Sequence, residues 1–382
     1  MTLRTASATR FDMSPLASDN ERMILDIVRR HEPIARSTIT AHTNLTQQSV
    51  HRLVETLIER GLLRAGAPLR GGRGQPSPTI ELVKEAVYSV GISINTDSAT
   101  LYLADFGCNV VAEETLGMMP SDRQTTLRAL SETLHAILRR HGIARDCLLG
   151  LGFSMSGFFV LDNRKFNAPE PLRDWSLIDL RPDLEAAFEL PVWLENNGTT
   201  GAIGESLRGA GLWCSTFAYL SFNYGFGGGL ILDGKPFYGF HGNAGEVSGI
   251  YNPDESPKRP ALQYLIRTLQ ENGIDIDSVH ELHKRFDPSW PGVEAWLEQT
   301  MPMLDRLIAS LIAILDPQAI VFGGQLPREL GRMMIKRVHM PSSRAHRYDV
   351  GPREAKLVLG EARGDAAAIG AALLPLKLRY FL

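Results

Sequence analysis

The hydrophobic positions change period along the chain. After the cap candidates Asp19 and Asn20, Met23, Ile24, Ile27 and Val28 fall at helical spacing, which predicts a first helix to about His31. Ser37 is the predicted N-cap of a second, shorter helix to about His42. A turn at Thr43-Asn44-Leu45 leads to Thr46, the cap of a third helix to about Arg60. Val50, Leu53, Val54, Leu57 and Ile58 make its apolar face, which leaves Gln47, Gln48, His51, Arg52 and Glu55 outward. Gly61 stops that helix, and Leu62-Leu63-Arg64 begins a strand that resumes at Thr79-Ile80-Glu81-Leu82. Residues 1–18 are polar without periodicity and read as a loose tail.

Beyond Leu82 the pattern turns to short apolar runs. Tyr88–Ile94, Ala99–Asp105 and Val110–Ala112 read as successive strands, the last two joined by a turn at Phe106–Asn109. An amphipathic helix follows at Thr125–His141, then a strand at Cys147–Ser154. This order, an antiparallel meander, a helix and a further strand, opens a mixed α/β lobe. A second lobe opens near Ala218–Phe222, with paired strands across Gly225–Leu232. It continues through helices at about Ala261–Glu271 and Val293–Leu315, a strand Ala319–Phe322, a strand near Lys356–Leu359 and a helix Ala366–Leu374. Two lobes of one design would make a long, degenerate internal duplication.

Between the lobes, the buried run Pro191-Val192-Trp193-Leu194 hands over at once to Glu195-Asn196-Asn197-Gly198 and a small-residue run suited to a closely packed helix. Polar side chains at such a handover lie at the mouth of an open α/β sheet, where these sheets bind ligands. Carboxamides offer donors and acceptors together, which suits sugar hydroxyls. Asn197-Gly198 as a simple asparagine-capped turn is the competing reading.

Composition narrows the classes. The chain has 382 residues, 44% apolar, with a net charge of −3, which fits a two- or three-unit globular protein and excludes a generic polyanion binder. Residues 21–74 nevertheless hold nine Lys and Arg against five Asp and Glu. The local basic excess therefore coincides with a helix, short helix, turn, longer helix order, in which the last helix enters a major groove. Gln47 and Gln48 can read adenine through paired hydrogen bonds. Ser37, Thr46, Ser49, His51 and Arg52 are the further DNA-contact candidates, with Arg70 and Arg73 on a glycine-rich wing at Pro68–Pro76. A helical dimerisation or linker module is the competing reading of the same stretch. Cys108, Cys147 and Cys214 are widely spaced, which argues against a disulfide framework and a cysteine zinc site. No apolar run reaches the ~18 residues of a membrane span and no signal-peptide core is present, so a cytoplasmic protein is expected.

With these pieces assembled, the chain resembles the ROK family of repressors, uncharacterised reading frames and kinases from Asp19 onward. The carriers are Glu195-Asn196-Asn197-Gly198, the run from Gly234 through His241-Gly242-Asn243-Ala244-Gly245-Glu246, Leu315–Gly324, and Ile369-Gly370-Ala371-Ala372. The resemblance implies a mainly α winged helix-turn-helix fused to a two-lobed α/β domain of the actin and hexokinase, sugar kinase-like type. Its expected divisions are a tail at 1–18, a DNA-binding unit at 19–83 and an effector-binding unit at 84–382, with a hinge near 195–205 and a C-terminal helix returning to the first lobe.

Kinase members of the family use a phosphate turn with an aspartate, glycines and a threonine; Ser93, Asn95 and Asp97 stand at the aspartate, second-glycine and threonine places. Asp97 would set negative charge where phosphates sit. Their Gly-Thr-Gly turn is Asn223-Tyr224-Gly225 here, and the aspartate base is matched by Asn197, whose carboxamide takes no proton. The family's structural zinc uses a histidine and three cysteines; Gly249 stands at the histidine place, Ala261 at that of the last cysteine, and no cysteine lies between. The resemblance places sugar contacts on Asn167, Asn196, Asn197 and Glu246, with Gln263 replacing a glutamate and Gly157 giving close backbone approach. Trp175 is a ring face for sugar or a core residue, and Glu246 is a sugar ligand, a helix cap or an ion-pair partner. The implied protein is a sugar-responsive repressor, a homodimer or dimer of dimers on operator DNA, without metal, cofactor or membrane. Its enzymatic rival is an active ATP-dependent sugar kinase with an appended DNA-binding unit.

Overall fold

The computed structural model describes residues 14–67, 78–160, 165–339, 354–362 and 365–382. Near the N-terminus α1 (Asp19–His31), β1 (Ile34–Ala35), α2 (Arg36–Ala41), α3 (Gln47–Glu59), β2 (Leu63–Gly66) and β3 (Thr79–Leu82) form a winged helix with strand order β1-β3-β2. The short β1 escaped the sequence reading because two residues carry no period. Ser18, and not Asp19 or Asn20, caps α1: its hydroxyl accepts from Glu21 N while Glu21 returns a bond to Ser18 N, a reciprocal capping box. Ser37 is likewise no cap, since α2 starts one residue earlier behind Ala35, with no side-chain bond to its first turn. Thr46 does cap α3, accepting from Ser49 N. The end of the expected tail is docked: Ala17 is buried, and Leu16 N donates to Arg379 O at 3.1 Å.

The first lobe contains β4 (Tyr88–Ile94), β5 (Ala99–Asp105), β6 (Val110–Thr115), α4 (Arg123–His141), β7 (Leu148–Met155), the hairpin β8 (Phe158–Val160) and β9 (Lys165–Asn167), α5 (Arg181–Phe188), β10 (Val192–Asn196) and α6 (Asn197–Arg208). The second contains β11 (Phe217–Phe222), β12 (Phe226–Leu232), β13 (Lys235–Pro236), α7 (Leu262–Glu271), α8 (Val279–Arg285), α9 (Val293–Leu315), β14 (Ala319–Gly324), α10 (Arg328–Arg337), β15 (Lys356–Leu359) and α11 (Ala366–Tyr380). The sheets, ordered β10-β7-β4-β5-β6 and β13-β12-β11-β14-β15, share one design. In each, three antiparallel strands are followed by two strands added in parallel beside the first. That is the internal duplication, seen in topology.

Two helices exchange lobes. α6 leaves β10 and packs on β12 and β11 of the second sheet, while α11 returns to cover β4, β7 and β5 of the first. Their crossing explains small residues of both motifs: a Cβ on Gly370 would lie 1.6 Å from Thr200 O and one on Gly204 3.0 Å from Ala366 O, while on the sheet beneath one on Gly152 of β7 would lie 1.9 Å from Ala371 O. α11 runs past Leu374 and through Pro375 to Tyr380, six residues beyond the expected end. Its buried length against α6 and the first sheet compensates the proline's missing donor. Trp175 is fully buried, stacks on Phe153 and donates from Nε1 to Pro120 O at 2.7 Å, so it belongs to the first-lobe core.

The winged helix has no separate core. Ile24, Leu25, Val28, Val50, Val54 and Leu57 are continuous with Leu207, Phe106, Tyr380 and Phe381 in one buried cluster. Around it, Arg29 Nη1 donates to Leu207 O at 2.9 Å, and Arg22 donates to Phe381 O and Lys377 O at 3.0 and 3.2 Å. Asp26 holds Arg29 and Arg30, each at 2.8 Å. Burial pushes the Lys377 amine down to about 8 and the Cys108 thiol up to about 11.

Candidate functional site

On the winged helix, the N-terminal half of α3 stands clear of the core. Gln47, Gln48, His51 and Arg52 are exposed, as are Thr46 and Ser37, while Ser49 is half-buried and bonded to the Thr46 hydroxyl at 3.0 Å. Buried Val50 and Val54 orient that face by taking the opposite side of the helix. Arg36 from α2 reaches His51 Nδ1 at 2.7 Å and Glu55 at 2.5 Å, so it fixes α2 against α3. Arg70 and Arg73 lie outside the described residues.

In the cleft, Asn197-Gly198 opens a helix, as the strand-to-helix handover predicts, and is not the simple turn of the competing reading. Asn196 is the N-cap of α6, its Oδ1 accepting from Thr199 N at 2.7 Å. Gly198 lies against β12, where a Cβ would stand 2.1 Å from Gly228 O; one on Gly245 would stand 2.5 Å from the same carbonyl. The Asn196-Asn197 pair and Glu246 are thereby gathered around Gly228. Gly228 and Gly229 thus serve close packing of α6 and of the Gly245 loop on the strand.

Glu246 precedes a 3-10 turn (Val247–Ile250) without capping it, and it has no ion-pair partner among the described residues. Burial alone pushes its carboxyl up to about 7. Asn196 Nδ2 is buried and likewise makes no hydrogen bond among the described residues. The buried Asn196 donor is costly unless a ligand or solvent completes it, and the half-buried Glu246 carboxylate beside it is open to the same ligand.

Asn197 is different. Its Nδ2 donates to Asn95 Oδ1 at 2.8 Å and Ser156 Oγ at 3.1 Å, and its Oδ1 accepts from Ser154 Oγ at 2.5 Å. Both amide hydrogens are occupied, so a ligand takes the oxygen's second lone pair or displaces Asn95 or Ser156 from the amide. Asn167 is exposed on β9, across the hairpin from Phe158. Gly157, at φ 133°, permits the tight turn there; a Cβ would meet Asn167 O at 2.6 Å. Asn243, which the sequence reading quoted without a role, clasps that hairpin to the Glu246 loop, accepting from Phe159 N and donating to Phe159 O, both at 2.9 Å. Gln263 sits half-buried in the first turn of α7, its N–H bonded to Tyr224 O at 3.2 Å, and no described hydrogen bond joins it to Asn196, Asn197 or Glu246.

Beside Asn197, the turn after β4 makes carboxylate contacts of its own to both lobes. Asp97 Oδ2 reaches from the first lobe to the second and accepts from Val279 N, the first residue of α8, at 2.9 Å. Beneath it, Asn95 Nδ2 donates to Asp365 Oδ2 at 3.0 Å, and Asp365 caps α11. Burial raises the Asp365 carboxyl, opposed by its bonds to Ala368 N, Ser93 and Asn95. The ring of Tyr224 packs against the core of the second lobe. Asn95, Asp365, Ser154 and Asn243 were not legible as a set, because they lie far apart in sequence and no local period joins them.

The loop after Glu246 has its own fastening. Tyr251 Oη donates to Met303 O at 3.1 Å, Ser248 Oγ to Phe226 O at 2.5 Å, and Arg306 grips Glu255 through two bonds of 2.8 and 2.7 Å. The Arg306 guanidinium holds the Glu255 carboxyl down at about 2. These bonds tie the loop to β12 and α9. Metal analysis of the purified chain should return no zinc, and chelators should leave its melting temperature unchanged; roughly one zinc per chain would contradict this.

Known proteins agree with the architecture. Residues 89–258 match the ROK family and residues 12–74 the MarR family. The chain is similar to the DNA-binding transcriptional dual regulator NagC of Escherichia coli (strain K12), 24% identical with 80% of each protein covered. It is also similar to the xylose repressor of Bacillus subtilis (strain 168), 24% identical over 63% of this chain and 62% of that protein. Among solved structures, a ROK family transcriptional regulator homologous to the Escherichia coli MLC protein superposes with a TM-score of 0.67 at 17% identity, covering 94% and 96% of the two chains. A ROK family glucokinase from Streptomyces griseus, solved with glucose and AMPPNP, superposes at 0.58 with 18% identity, covering 75% of this chain and 98% of that one. No helix among the described residues is long and apolar enough to cross a membrane.

Proposed function

We propose, for a chain that carries a ROK-family domain behind a MarR-type winged helix, that it is a sugar-responsive transcriptional regulator that holds its sugar without phosphorylating it. α3 reads operator DNA through Gln47, Gln48 and Arg52, with Ser37, Thr46, Ser49 and His51 beside it; Arg70 and Arg73, outside the described residues, are further proposed contacts. The sugar lies against Asn196, Asn197 and Glu246, with Gly157, Asn167 and Gln263 at the rim. The names of the relatives favour repression. A dimer on two half-sites in the cytoplasm is the working form. The units are a tail to residue 18, the winged helix to 83 and the effector unit beyond, hinged near 195–205. A sugar that binds one closure state better than the other sets the spacing of the two winged helices and hence operator affinity.

One observation supports the separation from a kinase: the Asp97 carboxylate, at the place the resemblance gives to the phosphate-turn threonine, is bonded to the first N–H of α8. A phosphate brought there would meet that charge. Asn197 supplies no base. A coupled assay with ATP and a panel of sugars should therefore show background turnover only. Asn197→Asp, which restores a carboxylate at the base position, should remain inactive because Asp97 is unchanged. Turnover by Asn197→Asp would mean that the nucleotide site persists, and turnover by the unaltered chain would make it a kinase.

A further inference from the structure

Two buried helices start side by side at the cleft floor and end on one helix of the DNA-binding unit. α6 starts at its cap Asn196, and α11 starts at its cap Asp365, whose carboxylate accepts from Ala367 N and Ala368 N at 3.0 and 3.2 Å. At their far ends, Leu207 O of α6 takes Arg29 of α1, and Lys377 O and Phe381 O at the end of α11 take Arg22 of α1. Twelve and fifteen residues separate the ends, or about 18 and 22 Å of helix. Where the helices cross, Gly370 meets Thr200 O, and a Cβ on Gly204 would lie 3.0 Å from Ala366 O. So close a backbone contact leaves no compressible layer between them, and a shift of one head relative to the other must be carried along both.

One side chain bonds to both heads. Asn95, in the turn after β4, accepts from Asn197 Nδ2 at 2.8 Å and donates to Asp365 Oδ2 at 3.0 Å, and it is 4% exposed. We infer that Asn95 is a positioning residue that couples the effector cleft to α1. While it bridges Asn197 and Asp365, α6 and α11 keep one setting and α1 is held in the corresponding one. A ligand hydroxyl that takes the Asn197 amide frees Asn95, the two heads move apart in register, and the seat of α1 on Leu207, Lys377 and Phe381 changes. The element both sites bias is thus the crossed helix pair. The identity of the ligand as a sugar rests on the proposed function; the mechanical role of Asn95 does not.

The test is amide hydrogen exchange on the full chain, which needs neither a known operator nor a known effector. Asn95→Ala, with Asn95→Ser as a second variant of smaller volume change, removes the bridge at the cleft and touches no atom of α1. Exchange at Ile24–Val28 should rise about threefold or more in both variants, while α4 on the far side of the first sheet is unaltered. Unchanged exchange in α1, or an equal rise in α4, overturns the inference, the latter by showing general loosening. A second arm adds D-xylose, D-glucose or N-acetyl-D-glucosamine. A sugar that protects residues 194–200 and 242–248 should raise α1 exchange in the unaltered chain, yet leave α1 unmoved in Asn95→Ala while still protecting the cleft. Transmission surviving in Asn95→Ala also overturns the inference. If no sugar protects the cleft, the sugar reading fails by itself, and the first arm still decides the role of Asn95.

Discussion

Replacing Gln47 and Gln48 together by alanine should cost the protein its operator. Each bidentate contact to a base is worth about 1–3 kcal/mol, so losing two lowers specific affinity by roughly 30-fold or more. Both side chains are exposed at the start of α3, and the Thr46 cap and the buried Val50–Val54 face remain, so the fold should be untouched. The measurement is a footprint and titration on an operator selected from genomic fragments, beside a titration on unrelated DNA. Affinity for unrelated DNA should be nearly unchanged, because that term comes from phosphate contacts. An identical footprint in the double variant would remove α3 from the reading role.

Glu246→Gln should weaken the sugar by about 10- to 150-fold, the value of one charge-assisted hydrogen bond of roughly 1.5–3 kcal/mol. DNA affinity without sugar should stay within about twofold, since the winged helix is remote from Glu246. The pH profile separates this role from a packing role. Burial has pushed the free carboxyl up to about 7, so below that pH it is largely protonated. A sugar hydroxyl donating to the ionised form lowers that pKa, and binding therefore releases a proton. Sugar affinity should rise as pH increases up to about 7 and level off above it. In Glu246→Gln the same profile should be flat. Calorimetry across this range reads both effects, and a wild-type profile with no slope below pH 7 would take Glu246 out of the sugar site.

Particular elements show what was readable before the fold was known. The amphipathic stripe of α3, the strands Tyr88–Ile94, Ala99–Asp105 and Lys356–Leu359, and the helix Val293–Leu315 appear where the period placed them. Each rests on neighbours two, three or four residues apart, so the information is local. The cap of α1 was misassigned because Ser18, Asp19 and Asn20 are all competent caps. Only the return bond from Glu21, three residues beyond Ser18, selects among them. α11 ends six residues beyond the expected Leu374, because the cost of Pro375 is local whereas the burial that outweighs it is not.

The sequence by itself determined the order of the helices and strands and the outward face of the third helix, which follow from residue identity and short-range spacing; the match of Asn197 to a base and the polar residues assigned to the cleft came from the family resemblance. The tertiary structure decided which of those polar groups remain open. Asn197 spends both amide hydrogens on Asn95 and Ser156, while Glu246 and Asn196 Nδ2 have no described partner. It alone set Asp97 on α8, 182 positions away, and Asn95 on Asp365, 270 positions away. It also merged the winged-helix core with the ends of α6 and α11. Hydrogen bonds at such separations depend on where two lobes and two crossing helices bring backbone and side chains together, and no period along the chain encodes that distance.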